Sequence, residues 1–270
     1  MENAVVDLVE LSHYAAQHPR LVQGAGGNCS VKFSDRLVIK ASGYLLEEVS
    51  EQEGYVVLDL KTDRPIEGSA LKASLETHLH KLLSKYVIHT HPIVVLALVS
   101  AWQGKQVFQD LFPEGFYQWV DYAPPGDFLA HRVSETLRKP PFSFQQHQAL
   151  FLGNHGLLVT SPSKERCIQF HEETVQRLEN FFGGDPVEKT CISTGCYLTP
   201  DHVVYGHLEK EAVAPKQRES IHEVQEAVEQ ALGLIHRKHW TPRWLEAKDI
   251  DYLLQMSGEK YRQDLWKHLR

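Results

Sequence analysis

"YVIHTHP", residues 86–92, ends an apolar run with two histidines one residue apart and closes it with proline. Read as an extended strand, the stretch alternates its side chains between faces, so His89 and His91 point the same way. Two imidazoles on one face are either two ligands of a metal or ordinary core or surface histidines. Pro92 suits the first turn of a helix, and "IVVLALVSAW" (93–102) follows it as an apolar helix. A strand running straight into a helix places the stretch in an α/β core.

Outward from it on the N-terminal side, residues 3–18 carry Val6, Leu8, Leu11 and Ala15 among polar residues, an amphipathic helix. "QGAGGNCSVKF" (23–33) is a glycine-rich turn leading into a strand, and "RLVIKASGY" (36–44) is a second strand ending in a Ser-Gly turn. "GYVVLDLKTDRP" (54–65) reads as a third. Strands in quick succession with short turns predict an antiparallel sheet. Residues 74–85, "SLETHLHKLLSK", read as a helix with Ser74 as N-cap. On the C-terminal side, "ALFLGNHGLLVT" (149–160) predicts two apolar strands joined at Gly153-Asn154-His155-Gly156. Residues 162–182 form an amphipathic helix with Ile168, Val175, Leu178 and Phe182 at helical spacing.

The composition shifts near Gly183-Gly184. Beyond it, "TGCYLTPDHVVYGHLE" (194–209) reads as one or two short strands, and residues 217–237 and 246–270 as helices. The expected organisation is one α/β domain over 1–185 and a partly helical extension over 186–270 packed on it.

Composition narrows the function. The chain has 270 residues, 42% apolar and 23% charged, the balance of a globular protein with a substantial core. A net charge of −7 argues against a nucleic-acid partner but leaves room for a local pocket for one phosphate. The opening "MENAVVDLVEL" lacks the basic start and apolar core of a signal peptide, and the longest apolar run, "IVVLALV", is too short for a bilayer. A cytoplasmic location without membrane association is expected, with Cys29, Cys167, Cys191 and Cys196 as reduced thiols.

The 16 histidines direct attention to metal chemistry. His155 sits in a glycine-flanked turn where a ligand can approach closely. Catalytic zinc sites use three protein ligands and keep one position open, and an H-x-H pair with a distant third histidine can supply them. Glu76, just before the H-x-H strand, could serve as general base or labile fourth ligand, and His80 shares its helix face. Each also has a plainer reading. A helix glutamate is commonly solvated, His78 and His80 fit an ordinary helix, and Gly-Gly-Asn commonly supplies only positive φ.

In order, "GAGGNCSVK", "KASG", "SLETHLH", "VIHTHP" and "NHGLLVT" resemble the class II aldolase/adducin family over residues 5–182. The resemblance implies a single α/β/α domain with a largely antiparallel central sheet, usually assembled as a homotetramer. It matches His89, His91 and His155 to zinc ligands and Glu76 to the acid/base glutamate. It matches Gly27 and Asn28 to the turn that cradles a substrate phosphate, Ser42 and Gly43 to a second such turn, and Ser74 to the first serine of a Ser-Ser-Glu element. Glycine-turn N–H groups form anion-binding nests, and Lys40 and Lys72 could add charge.

The implied activity is zinc-dependent retro-aldol cleavage of a ketose 1-phosphate, a small phosphorylated sugar, to dihydroxyacetone phosphate and an aldehyde. Related activities in the family are pentulose-phosphate 4-epimerisation and sugar-phosphate dehydration; the non-catalytic alternative is an adducin-like scaffold. Leu75 departs from the second serine of the motif, and the segment from Glu76 to the H-x-H pair is short. A C-terminal tyrosine assists proton transfer in the aldolases, with Tyr205 and Tyr197 as candidates here.

Overall fold

The computed structural model describes residues 2–66, 71–113, 115–139, 143, 145–183, 190, 192–208 and 215–256. Its centre is a seven-stranded sheet in the order β3-β2-β1-β4-β7-β6-β5. The strands are β1 (Asn28–Phe33), β2 (Arg36–Lys40), β3 (Tyr55–Asp59), β4 (Tyr86–Thr90), β5 (Tyr117–Val120), β6 (Gln148–Leu152) and β7 (Gly156–Ser161). All neighbours pair antiparallel except β5 with β6. The expected antiparallel sheet is therefore present, with one parallel edge strand.

The helices are α1 (Glu2–Ala16), α2 (Thr77–Lys81), α3 (Ile93–Val99), α4 (Gly104–Leu111), α5 (Asp127–Leu137), α6 (Lys164–Phe182), α7 (Pro200–Gly206), α8 (Pro215–Arg237) and α9 (Ala247–Gln255). Period-2 alternation sends each strand's residues to two cores. Cys29, Val31, Ile88, Leu157, Val159, Ala149 and Phe151 face a large core with α1, α3, α6 and α8. Val87, Leu150, Leu152 and Leu158 face a smaller one with Leu79 of α2 and Leu129 and Val133 of α5. Ala227, Val228, Ala231 and Leu232 of α8 lie in the large core with α3. Burial of this many apolar side chains is the main term holding the layers together, about 1.5–3 kcal/mol for each large one.

Two expectations need correction. The helix over 74–85 shrinks to α2, because Glu76 takes a non-helical φ −93°, ψ 13° and becomes the N-cap residue in place of Ser74. Ser74 instead closes the preceding turn, accepting from the Glu76 N–H at 3.2 Å through its hydroxyl. Residues 200–206, expected as strand, form α7: Thr199 caps it by accepting from the His202 N–H, and Pro200 opens its first turn. The last helix is seen as α9; residues 257–270, Cys191 and Gly184 lie outside the described residues.

Candidate metal centre and cleft

β4, the central strand of the seven, carries the site, flanked by β1 and β7. The register sets Asn28 of β1 and Leu158 of β7 opposite His89. Cross-strand partners share a face, so Asn28 and His89 look into the same space. His91 follows β4, its N–H held by the Leu21 carbonyl at 2.9 Å. His155 lies in the three-residue turn between Leu152 and Gly156. Gly156 lets that turn close: a Cβ there would stand 2.5 Å from the Thr90 carbonyl and 2.7 Å from His91 Cδ2. Asn154 holds a left-handed φ of 51°, its side-chain amide donating to the carbonyls of Leu198 and Arg243.

The three imidazoles converge. His89 Nε2 lies 3.2 Å from Nε2 of both His91 and His155. All three side chains are buried, and together they form a group able to hold a metal ion. Glu76 is buried beside them, Oε2 3.3 Å from His89 Nε2 and Oε1 3.4 Å from His155 Nε2. Asn28 donates to Glu76 Oε2 at 2.8 Å and aims the carboxylate. Because Glu76 sits at the entrance of α2 without capping it, its side chain is left to turn toward the histidines.

The donor chemistry fits a cation. His89 Nδ1 is 2.9 Å from the Leu157 carbonyl, which only accepts, so the proton is on Nδ1 and Nε2 keeps its lone pair. That lone pair faces two further ring nitrogens and a carboxylate oxygen. One lone pair cannot satisfy all three, whereas a positive ion at their meeting point can. Glu76 Oε1 is buried with no hydrogen-bond donor. Burial holds the His89 imidazole below its ordinary range and takes His155 down to about 3, so both rings are neutral at pH 7, the form able to donate a lone pair to a cation. Burial opposes ionisation of Glu76, but His89, His155 and the Asn28 amide together bring its carboxyl down to about 2.

Above the group opens a cleft of about 490 Å³, counting its mouth, whose lining joins Gly27, Asn28, Ser42, Gly43, Ser74 and Glu76 with Lys40 and Leu75. The sequence-selected residues from 27 to 155 thus meet at one place, with His89 fully buried beneath the others. The glycine loop does not act wholly as an open nest. Its Gly24, Ala25 and Gly26 N–H groups are already donated to Glu223, Tyr205 and Gln23, and the Ser42 N–H to the Lys72 carbonyl. Lys40 is buried, its ammonium donating to the Ala25 and Tyr44 carbonyls.

The sequence reading missed Asp201. It lines the cleft, with Oδ2 3.0 Å from His91 Nδ1. The signal was present as Thr199-Pro200-Asp201, an N-cap followed by a first-turn proline and an acidic residue. Tyr205 is a buried residue that accepts from the Ala25 N–H, while Tyr197 stacks on His207.

The Class II Aldolase and Adducin N-terminal domain profile matches residues 6–180. The chain belongs to this family. Among solved structures, the N-terminal class II aldolase domain of a conserved Thermoplasma acidophilum protein is 25% identical, with TM-score 0.57, covering 68% of this chain and 95% of that one. An aldolase II superfamily protein from Pseudomonas syringae is 19% identical, TM-score 0.53, covering 96% and 95%. YgbL from Klebsiella pneumoniae, described as a putative aldolase/epimerase/decarboxylase, is 19% identical, TM-score 0.51, covering 93% and 97%. A curated relative, the uncharacterized oxidoreductase YuxG of Bacillus subtilis (strain 168), is 29% identical over 147 residues, 54% of this chain. The match spans only 19% of that protein's length. No described helix is long and apolar enough to cross a membrane.

Proposed function

We propose that the protein is a zinc-dependent sugar-phosphate aldolase that reversibly cleaves a ketose 1-phosphate to dihydroxyacetone phosphate and an aldehyde. The observation that carries this reading is the buried carboxylate of Glu76 set against three converging imidazoles at the base of an open cleft. His89, His91 and His155 would hold the ion, a donor set that suits zinc with a position left for substrate. A bound zinc ion supplies Lewis-acid polarisation of the ketose carbonyl and stabilises the charge that develops as the carbon–carbon bond breaks.

Glu76 is the proton carrier. In the condensation direction its ionised carboxylate removes a proton from the hydroxymethyl carbon of dihydroxyacetone phosphate, and that carbon's electron pair forms the new bond to the aldehyde. In cleavage the C4 hydroxyl passes its proton to the Glu76 carboxylate as the C3–C4 bond breaks to give the aldehyde, and the electron pair stays with C3. The Glu76 carboxyl then returns a proton to C3. Asn28 holds the carboxylate in line. Ser42, Gly43, Ser74, Gly27 and Asn28 line the part of the cleft assigned to the phosphate, with the Lys40 charge beside them. Leu75 brings an apolar side chain where a hydroxyl would add a donor. We include in the reading the homotetramer implied by the family resemblance, to be checked by light scattering.

A coupled assay for dihydroxyacetone phosphate release across ketose 1-phosphates tests the reaction. The expected result is release from at least one of them by the zinc-loaded protein. Conversion of a pentulose phosphate to its C4 epimer without release would replace the aldolase by an epimerase. Binding of less than about one metal per chain in excess zinc would leave an adducin-like scaffold.

A further inference from the structure

The profile match ends at residue 180, yet three pieces of the site are held by residues beyond it. Asn154, beside His155, donates to the carbonyls of Leu198 and Arg243. The glycine loop before Asn28 gives its Gly24 N–H to Glu223 at 2.8 Å and its Ala25 N–H to Tyr205 at 2.9 Å. Asp201, in the first turn of α7, meets His91 Nδ1 at 3.0 Å. Gly26 makes that last approach possible, since a Cβ on it would stand 2.7 Å from Asp201 Oδ2 and 3.0 Å from His91 Nδ1.

We infer that Asp201 is a positioning residue of the metal centre: it fixes His91 with the proton on Nδ1, presents its Nε2 lone pair to the ion, and makes the C-terminal extension a working part of the site. The inference rests on the reading that the three histidines hold a metal. The two contacts on β4's histidines differ in kind. His89 Nδ1 is hydrogen-bonded to a backbone carbonyl within the matched domain, whereas His91 Nδ1 has a carboxylate oxygen from outside it at ion-pair distance, 3.0 Å, off the line of a hydrogen bond. A carboxylate accepts from Nδ1–H, as the carbonyl does, but its negative charge also makes the imidazole a stronger donor to a cation. Asp201 therefore differs from Tyr205 and Glu223, which meet the loop through its backbone N–H groups.

The test uses the full chain labelled with ¹⁵N-histidine, first metal-free and then titrated with zinc against a competing chelator. In the metal-free protein, His91 should show the Nδ1–H tautomer; in Asp201→Ala it should lose that preference. Zinc affinity should fall on the order of 10- to 100-fold in Asp201→Ala. Asp201→Asn keeps an acceptor oxygen and the side chain's shape, so it should retain the tautomer and lose affinity through the missing charge alone. This variant covers the case in which Asp201→Ala loosens α7. Unchanged His91 tautomer and zinc affinity in both variants would overturn the role of Asp201 while leaving the metal centre intact. Failure of the unsubstituted chain to bind zinc would overturn both.

Discussion

The two faces of β4 each bury histidine, and they solve the problem in opposite ways. Behind the strand, His171 of α6 has both ring nitrogens engaged: Tyr14 Oη lies 2.8 Å from Nδ1 and Thr90 Oγ1 lies 2.6 Å from Nε2. In front, one residue away on either side of Thr90, His89 and His91 direct nitrogens at each other and at His155 with no neutral partner set that satisfies them together. Burial is therefore common to both and cannot distinguish them. What distinguishes them is the balance of donors and acceptors: complete behind the strand, and short of positive charge in front. A complete network rigidifies a core, and an incomplete one of lone pairs calls for an ion.

The comparison can be broken most severely at His91. His91→Ala should abolish stoichiometric zinc binding, because two remaining imidazoles hold a divalent ion poorly, while His171→Phe should leave the stoichiometry alone. Equilibrium dialysis with metal analysis reads both. Glu76→Gln comes next: the metal should stay, and turnover in the dihydroxyacetone phosphate assay should fall by a factor on the order of 10² to 10⁴. Gly26→Ala should weaken zinc binding by less than His91→Ala, since the new Cβ forces the 3.0 Å contact between Asp201 and His91 apart; chelator competition measures it.

The rear network should respond in stability instead. Thr90→Val leaves His171 Nε2 without its partner and should cost about 1–3 kcal/mol in urea unfolding. Burial takes His171 from the ordinary 6.5 down to about 3. Its folded-state value lies below the unfolded one, so between these values the unfolded chain binds the extra proton. Its contribution to stability is therefore present above about pH 6.5 and is lost progressively as pH falls toward about 3. His171→Phe should remove that part of the acid sensitivity, which urea titrations of the metal-free protein at several pH values would reveal.

How much of this the sequence disclosed follows from which contacts are local. β4, the β6–β7 turn and α6 were readable because apolar periodicity and glycine spacing act within a few residues. The H-x-H face was readable from strand alternation alone. β5, α4 and α5 went unread; α4 is amphipathic but only eight residues long, and β5 only four. α7 was misread because "HVV" looks like strand, although Thr199 and Pro200 mark a helix start. That error hid Asp201, whose partner lies 110 positions away along the numbering. Glu76 was placed in the site from its position before the H-x-H strand and again through the family resemblance, but its non-helical N-cap backbone and the Asn28 amide that aims its carboxylate belong to the folded structure. His80, read as an ordinary helix residue on the Glu76 face, is buried with its Nδ1 2.7 Å from Ser30 Oγ.

The central claim is that the front face of β4 is a metal centre and the rear face is not. The most direct measurement is zinc stoichiometry of the unsubstituted chain, His91→Ala and His171→Phe, determined side by side at neutral pH. The account predicts about one zinc per chain, then none, then about one again. Equal binding by the unsubstituted chain and His91→Ala, or loss of binding in His171→Phe with the fold retained by circular dichroism, would contradict it.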